Sequence, residues 1–336
     1  MSEILSIVIV NYKTPGLLSD CLATVYGDAG SDSFQVIVVD NHSQDDSKTI
    51  VLSAYPGVTW IQMDYNSGFA RANNEGMRRA AGNVVLLLNS DTLIVSNAIS
   101  EAFRLLAASE FVGCGVELRN IDGSSQISGN FFVRGNLNNL LPLPYVGAAI
   151  RKAGQLLSVR KPHAVHSHEA QEVDWINGAF LMVKTEVIRK AGMMDEDFFL
   201  YAEEAEWCAR LRKWGRLVIF GHLQVVHLQG ATSNTAFASS GQGYYNLYDR
   251  KGLQIMMSNF VRVRKQWGIG WFLFQLVIYT LTVPLMFLGS FLQYLLHRHK
   301  HSNAVGPARG FARNVLTAWK HAGTIMKNKP HFYKFL

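Results

Sequence analysis

Short apolar runs that stop abruptly at polar side chains characterise the first part of the chain. A short run of apolar residues rich in Val and Ile is typical of a buried β-strand. We therefore predict strands at 5–12, 34–43, 57–63 and 83–91. Three of these runs lead directly into polar side chains, namely Asn11, Asp40 and the triplet Asn89-Ser90-Asp91.

Helical segments separate these predicted strands. Residues 14–26 have Pro15 near the helix start, and residues 73–82 end on Gly82. Alternating strands and helices predict an α/β fold with a Rossmann-like, mostly parallel sheet. Ligands of such sheets bind outside the carboxyl ends of the strands. A single Asn, Ser or Asp also caps helices and starts turns, but polar residues at three strand ends together indicate one site.

The middle of the chain has a weaker pattern. Residues 111–120 and 124–135 have the composition of short strands around a turn, and residues 136–147 are irregular. The polar segment 163–170 contains His163, His166 and His168, and we interpret it as a solvated loop rather than a metal site.

Regular patterns return after residue 173. A strand is predicted at 175–184, and the helix that follows has Thr185 as its N-cap and Gly192 at its end. The final strand, 216–230, contains His227.

A further helix is predicted to begin near Tyr201. Its first turn contains Glu203, Glu204 and Glu206. The helix dipole favours carboxylates at this end, but three of them beside aromatic residues exceed what a cap needs. These glutamates are therefore candidates for chemistry.

Charge is distributed unevenly along the chain. The net charge is +7, but residues 251–336 contain twelve Lys or Arg and no Asp or Glu. The remainder therefore has 20 basic against 25 acidic residues. The three cysteines form no CxxC pair, as expected for a reducing compartment, and the N-terminus lacks the charged region of a signal peptide.

The basic C-terminal region surrounds an apolar stretch. Residues 267–296 are free of Asp, Glu, Lys and Arg, and a membrane-spanning helix needs about 20 residues. We predict membrane association rather than nucleic-acid binding, because the cations flank apolar sequence. Cations on both sides favour a re-entrant hairpin bent at Pro284 over a single span. A buried hairpin in a soluble core is the alternative.

The tail after this stretch, 298–336, is predicted to lie along an anionic membrane surface. Its helix at 310–327 has apolar residues at roughly helical spacing: Phe311, Val315, Leu316, Trp319 and Ile325.

Seven motifs over residues 4–265 resemble those of family 2 glycosyltransferases, in the same order. They are VNYKT, VVDNHSQDD, NSGFARANNEG, LLLNSDT, WINGAFLMVK, DEDFFLYAEEAEWCARLRKWG and VVHLQG. The most similar members are the bacterial rhamnosyltransferase-like enzymes. The resemblance implies the GT-A fold, a nucleotide-sugar donor and inversion of the anomeric centre.

The resemblance also implies roles in donor binding. Asp40 corresponds to the carboxylate that hydrogen-bonds the nucleotide base, and Asn11 and Thr14 line the same pocket. The segment NxGFAxxxN packs beneath the nucleotide, and its members here are Asn66, Gly68, Phe69, Ala70, Arg71 and Asn73. Arg71 meets either a phosphate or base edge of the donor or a structural partner in the protein.

The triplet Asn89-Ser90-Asp91 occupies the place of the family's DxD motif, with Asn in place of the first Asp. A diphosphate needs its charge neutralised, and the resemblance implies Mg²⁺ or Mn²⁺ held by Asp91 and His227.

The resemblance places the catalytic base in the glutamate cluster. The family has Glu-Asp-x-Asp here, and its second residue is the base, so Glu204 takes that role with Glu203 as the alternative. Trp175, Asn177 and Gly178 are predicted to shape the sugar or acceptor pocket, although a core position is equally compatible with Trp175.

These inferences converge on a metal-dependent inverting glycosyltransferase at the cytoplasmic face of a bacterial inner membrane. We predict a catalytic domain at 1–265, a membrane-embedded helical segment at 266–297 and a basic tail at 298–336. The predicted reaction moves a sugar, with dTDP-L-rhamnose as the leading donor, onto a lipid-linked acceptor for surface polysaccharide. The alternatives are a UDP-sugar donor carrying GlcNAc or galactose, and a non-catalytic scaffold that binds nucleotide sugars. An oligomer is compatible with the sequence.

Overall fold

The computed structural model describes residues 4–156, 169–228, 246–296 and 305–336, and over these ranges the chain forms two compact units. The first unit comprises Met1–Phe131, Pro162–Phe199 and Glu203–Ala236. The second comprises Phe132–Lys161, Leu200–Ala202 and Phe237–Leu336. The three histidines at 163, 166 and 168 lie outside the described residues.

Within the described part of the first unit, nine strands form one mixed sheet, with the order β3-β2-β1-β4-β10-β6-β11-β5 and with β8 also paired to β11. The strands are β1 (Leu5–Asn11), β2 (Phe34–Asp40), β3 (Thr59–Gln62), β4 (Val84–Asn89), β5 (Thr92–Ile94), β6 (Gly113–Arg119), β8 (Ala170–Val173), β10 (Phe180–Lys184) and β11 (Leu217–His227). Two short strands, β7 (Gly129–Asn130) and β9 (Trp175–Ile176), pair separately.

The N-terminal half of the sheet is parallel, as predicted. Strand β1 lies between β2 and β4, and all three run in the same direction. In this register Asn11 is the partner of Asp40, and Val10 is the partner of Asn89. The polar residues that follow the apolar runs therefore share one edge of the sheet.

The other half of the sheet departs from a purely parallel arrangement. Strand β10 is antiparallel to both β4 and β6, and β5 is antiparallel to β11. Only β6 and β11 are parallel to each other in this half. The predicted strand at 175–184 is divided into β9 and β10 by the residues Asn177–Ala179.

The helices of the first unit cover this sheet. They are α1 (Pro15–Tyr26), α2 (Ser47–Ala54), α3 (Gly68–Arg79), α4 (Ala98–Ala107), α6 (Thr185–Ala191) and α7 (Glu203–Leu211). Side chains at helical spacing on α1, such as Leu18, Leu22 and Val25, are fully buried with Ile7 and Ile9 of β1. The apolar runs are thus strands because both of their faces are covered.

Several elements differ from the sequence-based expectation. Helices α2 and α4 and strand β5 were not predicted, and α3 begins at Gly68 rather than at residue 73. Thr185 is not an N-cap: Lys184 holds that position, and the Thr185 hydroxyl donates to the carbonyl of Gly82 at 2.7 Å. The Thr185 side chain therefore binds a carbonyl that is distant in sequence instead of capping its own helix.

The second unit is helical. It contains α5 (Val146–Leu156), α8 (Arg250–Trp267), α9 (Ile269–Leu296), α10 (Gly306–Lys327) and a 3₁₀ segment at Arg134–Leu140. Helix α9 packs against both α8 and α10. The segment 136–147 was predicted to be irregular. In the structure it contains the end of the 3₁₀ segment and the start of α5.

Helix α9 continues through Pro284, so the predicted hairpin bend at this residue is wrong. The end of α8 lies near the end of α10, since Arg264 of α8 donates to the carbonyl of Met326 at 2.9 Å. The backbone hydrogen bond that Pro284 cannot donate costs less free energy than the packing of α9 against its neighbouring helices contributes.

Candidate active site

Asp40 is the centre of a buried hydrogen-bond network at the ends of β1 and β2. Its Oδ1 accepts hydrogen bonds from Asn11 Nδ2 at 2.8 Å and from the Ser43 hydroxyl. Its Oδ2 accepts from the Ser43 amide at 2.9 Å and from Gln62 Nε2 at 2.7 Å. With 2% of its surface exposed, the carboxylate is held rigidly in place at the strand end.

A cavity of about 350 Å³ opens beside this network. Its wall includes Asp40, the indole of Trp60 and the side chains of His42, Lys48 and Gln62. The wall thus combines an aromatic group with hydrogen-bonding groups, as a site for a planar polar ring requires. The cavity lies where sequence reasoning placed the nucleotide base, and Gln62 and Trp60 are additional wall residues that the sequence pattern did not indicate.

A chain of hydrogen bonds joins the first and fourth strand ends. The Thr14 hydroxyl donates to Asn11 Oδ1 at 3.1 Å, and it lies 3.5 Å from the Ser90 hydroxyl. Asn11 and Thr14 are thereby connected to the Asn89-Ser90-Asp91 triplet. The structure brings the predicted residues of both strand ends together.

The triplet itself forms the tight turn between β4 and β5. Ser90 and Asp91 are 5% and 6% exposed. The backbone of β5 pairs with β11 so that Thr92 is the partner of His227, and the Leu228 amide donates to the Asp91 carbonyl at 2.9 Å. This pairing places Asp91 Oδ1 3.4 Å from His227 Nε2. Two residues far apart in sequence therefore meet as predicted.

Gln126, which sequence reasoning missed, determines which ring nitrogen of His227 carries hydrogen. Its Nε2 donates to the His227 carbonyl at 2.6 Å and to Asn120 Oδ1 at 2.7 Å. Its Oε1 therefore faces His227 Nδ1, at 2.9 Å, and can only accept a hydrogen bond. In the neutral ring Nδ1 thus carries the hydrogen, and the lone pair of Nε2 is directed toward Asp91.

This donor set fits a divalent metal. Two ligands of one ion lie about 3 Å apart, close to the separation of Asp91 Oδ1 and His227 Nε2. The described residues contain no cluster of three or more His, Cys, Asp and Glu side chains that would form an all-protein cage. Two protein ligands suit Mg²⁺ or Mn²⁺, whose remaining positions are taken by water and phosphate oxygens. Asn89 Nδ2, 3.4 Å from His227 Nε2, flanks this position.

We expect Gln126→Leu to lower the affinity for Mn²⁺ by about 10–100-fold, because an acceptor that fixes a ligand histidine is lost. Calorimetry with Mn²⁺ measures this without substrate. Asn120→Ala is the matched control: it removes one bond of the Gln126 amide but leaves the contact with His227. Equal losses in both variants would contradict the role of the Gln126 oxygen.

The segment that starts α3 is fixed by intrachain contacts. Gly68 has a φ of +80°, and a Cβ there would lie 2.2 Å from the Phe199 carbonyl oxygen. Asn66 Oδ1 accepts from the Gly68 amide at 3.1 Å, and Asn73 Nδ2 donates to the Phe69 carbonyl at 3.0 Å. Only glycine fits at Gly68.

The guanidinium of Arg71 also has partners within the protein. Its Nε donates to the Glu196 carbonyl at 3.0 Å and its Nη1 to the Tyr65 hydroxyl at 3.0 Å. Of the two alternatives for Arg71, these contacts favour the structural one. Its role in donor binding stays a prediction.

Helix α7 presents its three glutamates differently. Glu203 and Glu206 are 3% and 7% exposed, whereas Glu204 is only partly buried. Glu206 Oε1 accepts from Arg210 Nε at 2.9 Å, and the same guanidinium donates to the carbonyls of Ala191 and Met193. Glu206 therefore has a structural role, and Glu204 is the most exposed of the three glutamates. The helix begins at Glu203, after Tyr201 and Ala202, whose backbones have positive φ angles.

The turn between β9 and β10 brings Glu204 toward the strand ends. A methyl group on Gly178 would lie 3.7 Å from Glu204 Cβ and 3.4 Å from the Phe69 ring. Ala179, the next residue, accepts from the Asn89 amide at 3.1 Å. Asn177 holds the turn through the Ala179 amide and the Ile127 carbonyl. Glu204 and the Asn89–Asp91 turn thus flank the same short segment.

We expect Gly178→Ala to leave the free energy of unfolding within about 0.5 kcal/mol, because its methyl meets ordinary contact distances. It should lower transfer activity by ~10-fold or more if substrate occupies the space between Phe69 and Glu204. Denaturant unfolding and initial rates measure the two quantities. Gly68→Ala is the contrast, and we expect it to destabilise the fold by about 2 kcal/mol or more. Wild-type rates in Gly178→Ala would exclude this turn from the substrate pocket.

The model of the family described as Glycosyl transferase family 2 matches residues 6–145. This region contains the strand ends, the α3 segment and the Asn89-Ser90-Asp91 turn described above. Residues 6–145 form a family 2 glycosyltransferase domain. The resemblance inferred from the motifs is therefore confirmed, and the cavity at the carboxyl ends of β2 and β3 lies within the matched residues.

Named relatives of the family 2 domain are glycan-building transferases. The low-salt glycan biosynthesis hexosyltransferase Agl10 of Haloferax volcanii is 27% identical over 74% of this chain and 75% of its own length. The N-acetylglucosaminyl-diphospho-decaprenol L-rhamnosyltransferase of Mycobacterium tuberculosis is 26% identical over 66% and 74%. The dTDP-rhamnosyl transferase RfbF of Shigella flexneri is 26% identical over 59% and 61%.

Solved structures confirm the fold. The mannosyltransferase PcManGT from Pyrobaculum calidifontis, in complex with GDP-Man and Mn²⁺, superposes with a TM-score of 0.51 at 14% identity, over 96% of this chain and 87% of that one. S. aureus TarS 1–349 in complex with UDP gives 0.51 at 13% identity, over 95% and 91%. The predicted GT-A fold is thus confirmed.

Proposed function

We propose that this chain transfers a sugar from a nucleotide sugar to a lipid-linked glycan acceptor with inversion of the anomeric centre. One observation carries the proposal: the Asn177–Ala179 turn lies beside Glu204, the most exposed glutamate of the α7 first turn, and contacts the turn that holds Asp91 beside His227. A base for the acceptor and a cation site for the donor diphosphate would then both lie beside one short segment. An inverting displacement requires these two functions at a single sugar carbon.

The residues divide the work as follows. The cavity beside Asp40 holds the nucleotide base, with Asn11 and Thr14 fixing that wall. Asp91 and His227 hold Mg²⁺ or Mn²⁺, which when bound neutralises charge on the diphosphate. Glu204 accepts the proton of the acceptor hydroxyl while the oxygen of that hydroxyl forms a bond to the anomeric carbon. The bond from that carbon to the diphosphate breaks on the opposite face, and the nucleoside diphosphate leaves with the bonding electrons.

The leading donor is dTDP-L-rhamnose. Two of the relatives described above are rhamnosyltransferases by name, one of them with a decaprenol-linked acceptor. A UDP-sugar with GlcNAc or galactose is the second candidate, since an N-acetylglucosaminyltransferase of Mesorhizobium japonicum is 32% identical over 26% of this chain. Asp40, Asp91 and Glu204 would have the same roles with either donor.

A lipid-linked acceptor implies work at a membrane. Helix α9 is long and apolar enough to associate with one, and we place the enzyme at the cytoplasmic face of a bacterial inner membrane. Nucleotide sugars are available on that side. The acceptor's sugar would then be presented at the level of the lipid headgroups.

A screen of nucleotide sugars by thermal shift, with and without Mn²⁺, tests the donor assignment. We expect dTDP-L-rhamnose to raise the melting temperature more than UDP-GlcNAc or UDP-galactose. Transfer from the best donor to a polyprenyl-diphosphate-linked sugar in detergent then tests catalysis. Binding without transfer or hydrolysis would support the non-catalytic scaffold and overturn the proposal.

A further inference from the structure

One side of helix α9 in the second unit is both apolar and exposed. Its stretch Ile269–Leu292 is long and apolar enough to cross a membrane, and most of it is not buried in the protein. The core helix of a soluble protein with this composition would be mostly buried. Exposed apolar surface of this extent marks a site of interaction.

Six of the exposed apolar residues of α9 form one continuous stripe. They recur at intervals of three and four positions, which places them on one face of the helix. Their exposed fractions range from 41% to 59%, and they are Phe274, Val277, Leu281, Leu285, Leu288 and Leu292. We call this set the α9 stripe.

The opposite face of α9 is fixed within the second unit. Phe272 and Leu276 are fully buried, and Gln275 Nε2 donates to the Gly135 carbonyl at 2.6 Å. The Tyr279 hydroxyl donates to the Asn139 carbonyl at 2.9 Å, and its ring stacks on Phe311 of α10. Helix α9 therefore cannot be surrounded by lipid unless these contacts break.

Helix α10 places cations along the side of the α9 stripe. Trp319 Nε1 donates to Thr280 Oγ1 of α9 at 2.9 Å, so the exposed Trp319 and Leu316 continue the apolar surface. The same helix carries four cations along its length, namely Arg309, Arg313, Lys320 and Lys327. The predicted apolar face of the tail is in part wrong, because Phe311, Val315 and Ile325 are buried in the bundle.

These contacts argue against a membrane span. If α9 crossed the bilayer with its packing intact, α10 would carry its cations to the same depth. Charged side chains near the bilayer centre are strongly unfavourable. An in-plane position keeps the cations at the headgroup level and still removes the α9 stripe from water.

We propose that the α9 stripe, continued by Leu316 and Trp319, docks in the plane of an anionic lipid bilayer without crossing it. The charge of the region favours an anionic bilayer as the partner of the stripe, because residues 251–336 contain twelve Lys or Arg and no Asp or Glu. A second copy of the chain would bring like charges together at the rim of the stripe. This inference specifies the membrane association proposed above, and its test needs neither donor nor acceptor.

Co-sedimentation with vesicles tests the surface. The full chain should bind equimolar phosphatidylglycerol–phosphatidylcholine vesicles at least ~10-fold more tightly than pure phosphatidylcholine vesicles. Leu281→Gln/Leu288→Gln should weaken binding by ~100-fold, about tenfold for each leucine. Ile50→Gln/Ile121→Gln is the matched control, since it removes two exposed apolar side chains from the first unit. We expect it to bind like the wild type.

Cysteine labelling separates an in-plane helix from a span. The native cysteines, Cys21, Cys114 and Cys208, are buried and free, and burial raises the pKa of the Cys21 thiol to about 12. Gly270→Cys and Val305→Cys mark positions before and after the α9 stripe. In inverted membrane vesicles from cells expressing the full chain, an impermeant maleimide should label both without detergent.

Three results would overturn the proposal. The first is unchanged vesicle binding in Leu281→Gln/Leu288→Gln, and the second is labelling of Val305→Cys only after detergent. The third is a lipid-free dimer that light scattering shows to dissociate in the double variant, which would assign the α9 stripe to a second copy. Loss of sugar transfer with normal vesicle binding would instead count against the proposed reaction alone.

Discussion

Replacing Glu204 with Gln is expected to lower turnover by ~10²–10⁴-fold and to leave nucleotide-sugar affinity within a few-fold. The amide keeps the shape of the side chain but cannot accept the proton of the acceptor hydroxyl. Glu204 is the partly exposed glutamate of the α7 first turn, and it lies beside Gly178 in the turn whose Ala179 carbonyl accepts from the Asn89 amide. Single-turnover transfer rates and calorimetric donor titrations measure the two quantities.

The neighbouring glutamates supply the controls. Glu206→Gln should lower stability by about 1–3 kcal/mol, because it weakens the bonds with Arg210 that tie α7 to the residues after α6. Its turnover per folded molecule should change little. Glu203→Gln should also retain most activity, since that carboxylate is 3% exposed. If Glu203→Gln shows the large loss instead, the base is one residue earlier.

Asp91→Ala is expected to weaken Mn²⁺-dependent donor binding by at least ~10²-fold, since it removes the anionic ligand of the predicted metal. The fold should persist, because the backbone carbonyl of Asp91 still accepts from Leu228. Calorimetry of the nucleotide sugar with and without Mn²⁺ measures the effect. Unchanged Mn²⁺-dependent binding in this variant would remove Asp91 from the metal site.

Asn89→Ala is the matched control for that experiment. Asn89 lies two residues earlier in the same turn, and its amide nitrogen is 3.4 Å from His227 Nε2, at the long limit of a hydrogen bond. We expect only a few-fold loss of affinity. A loss as large as that of Asp91→Ala would mean that the Asn89 oxygen is also a ligand.

The apolar runs of the first part of the chain predict the parallel half of the sheet well. β2 ends at Asp40 and β4 at Asn89, where each apolar run meets its first polar side chain. Burying a polar group without a partner costs free energy, which favours a strand end where such a residue appears, so pattern and boundary coincide at these two positions. The same reasoning brought Asn11, Asp40 and the Asn89–Asp91 triplet to one edge.

The pattern was less informative where contacts are long-range. Gln126 has no apolar periodicity around it, and its role appears only because β11 brings His227 to it from 101 residues away. Glu204 and Glu206 are equivalent carboxylates in the sequence, but Arg210 pairs with Glu206, and Glu204 is the more exposed of the two in the structure. The buried partners of α9 likewise come from residues far away in the chain.

The sequence by itself determined the strands, the polar residues at their ends, the glutamate cluster and the basic, apolar C-terminal region. These follow from local composition and period, because a short segment's hydrophobicity decides whether it is buried. The tertiary structure decided the antiparallel β10, the tautomer of His227, the accessible glutamate and the face of α9 that is left exposed. Each of these features depends on which residue, distant in the chain, supplies the hydrogen-bond partner or covers the apolar surface. The local sequence pattern does not specify that residue.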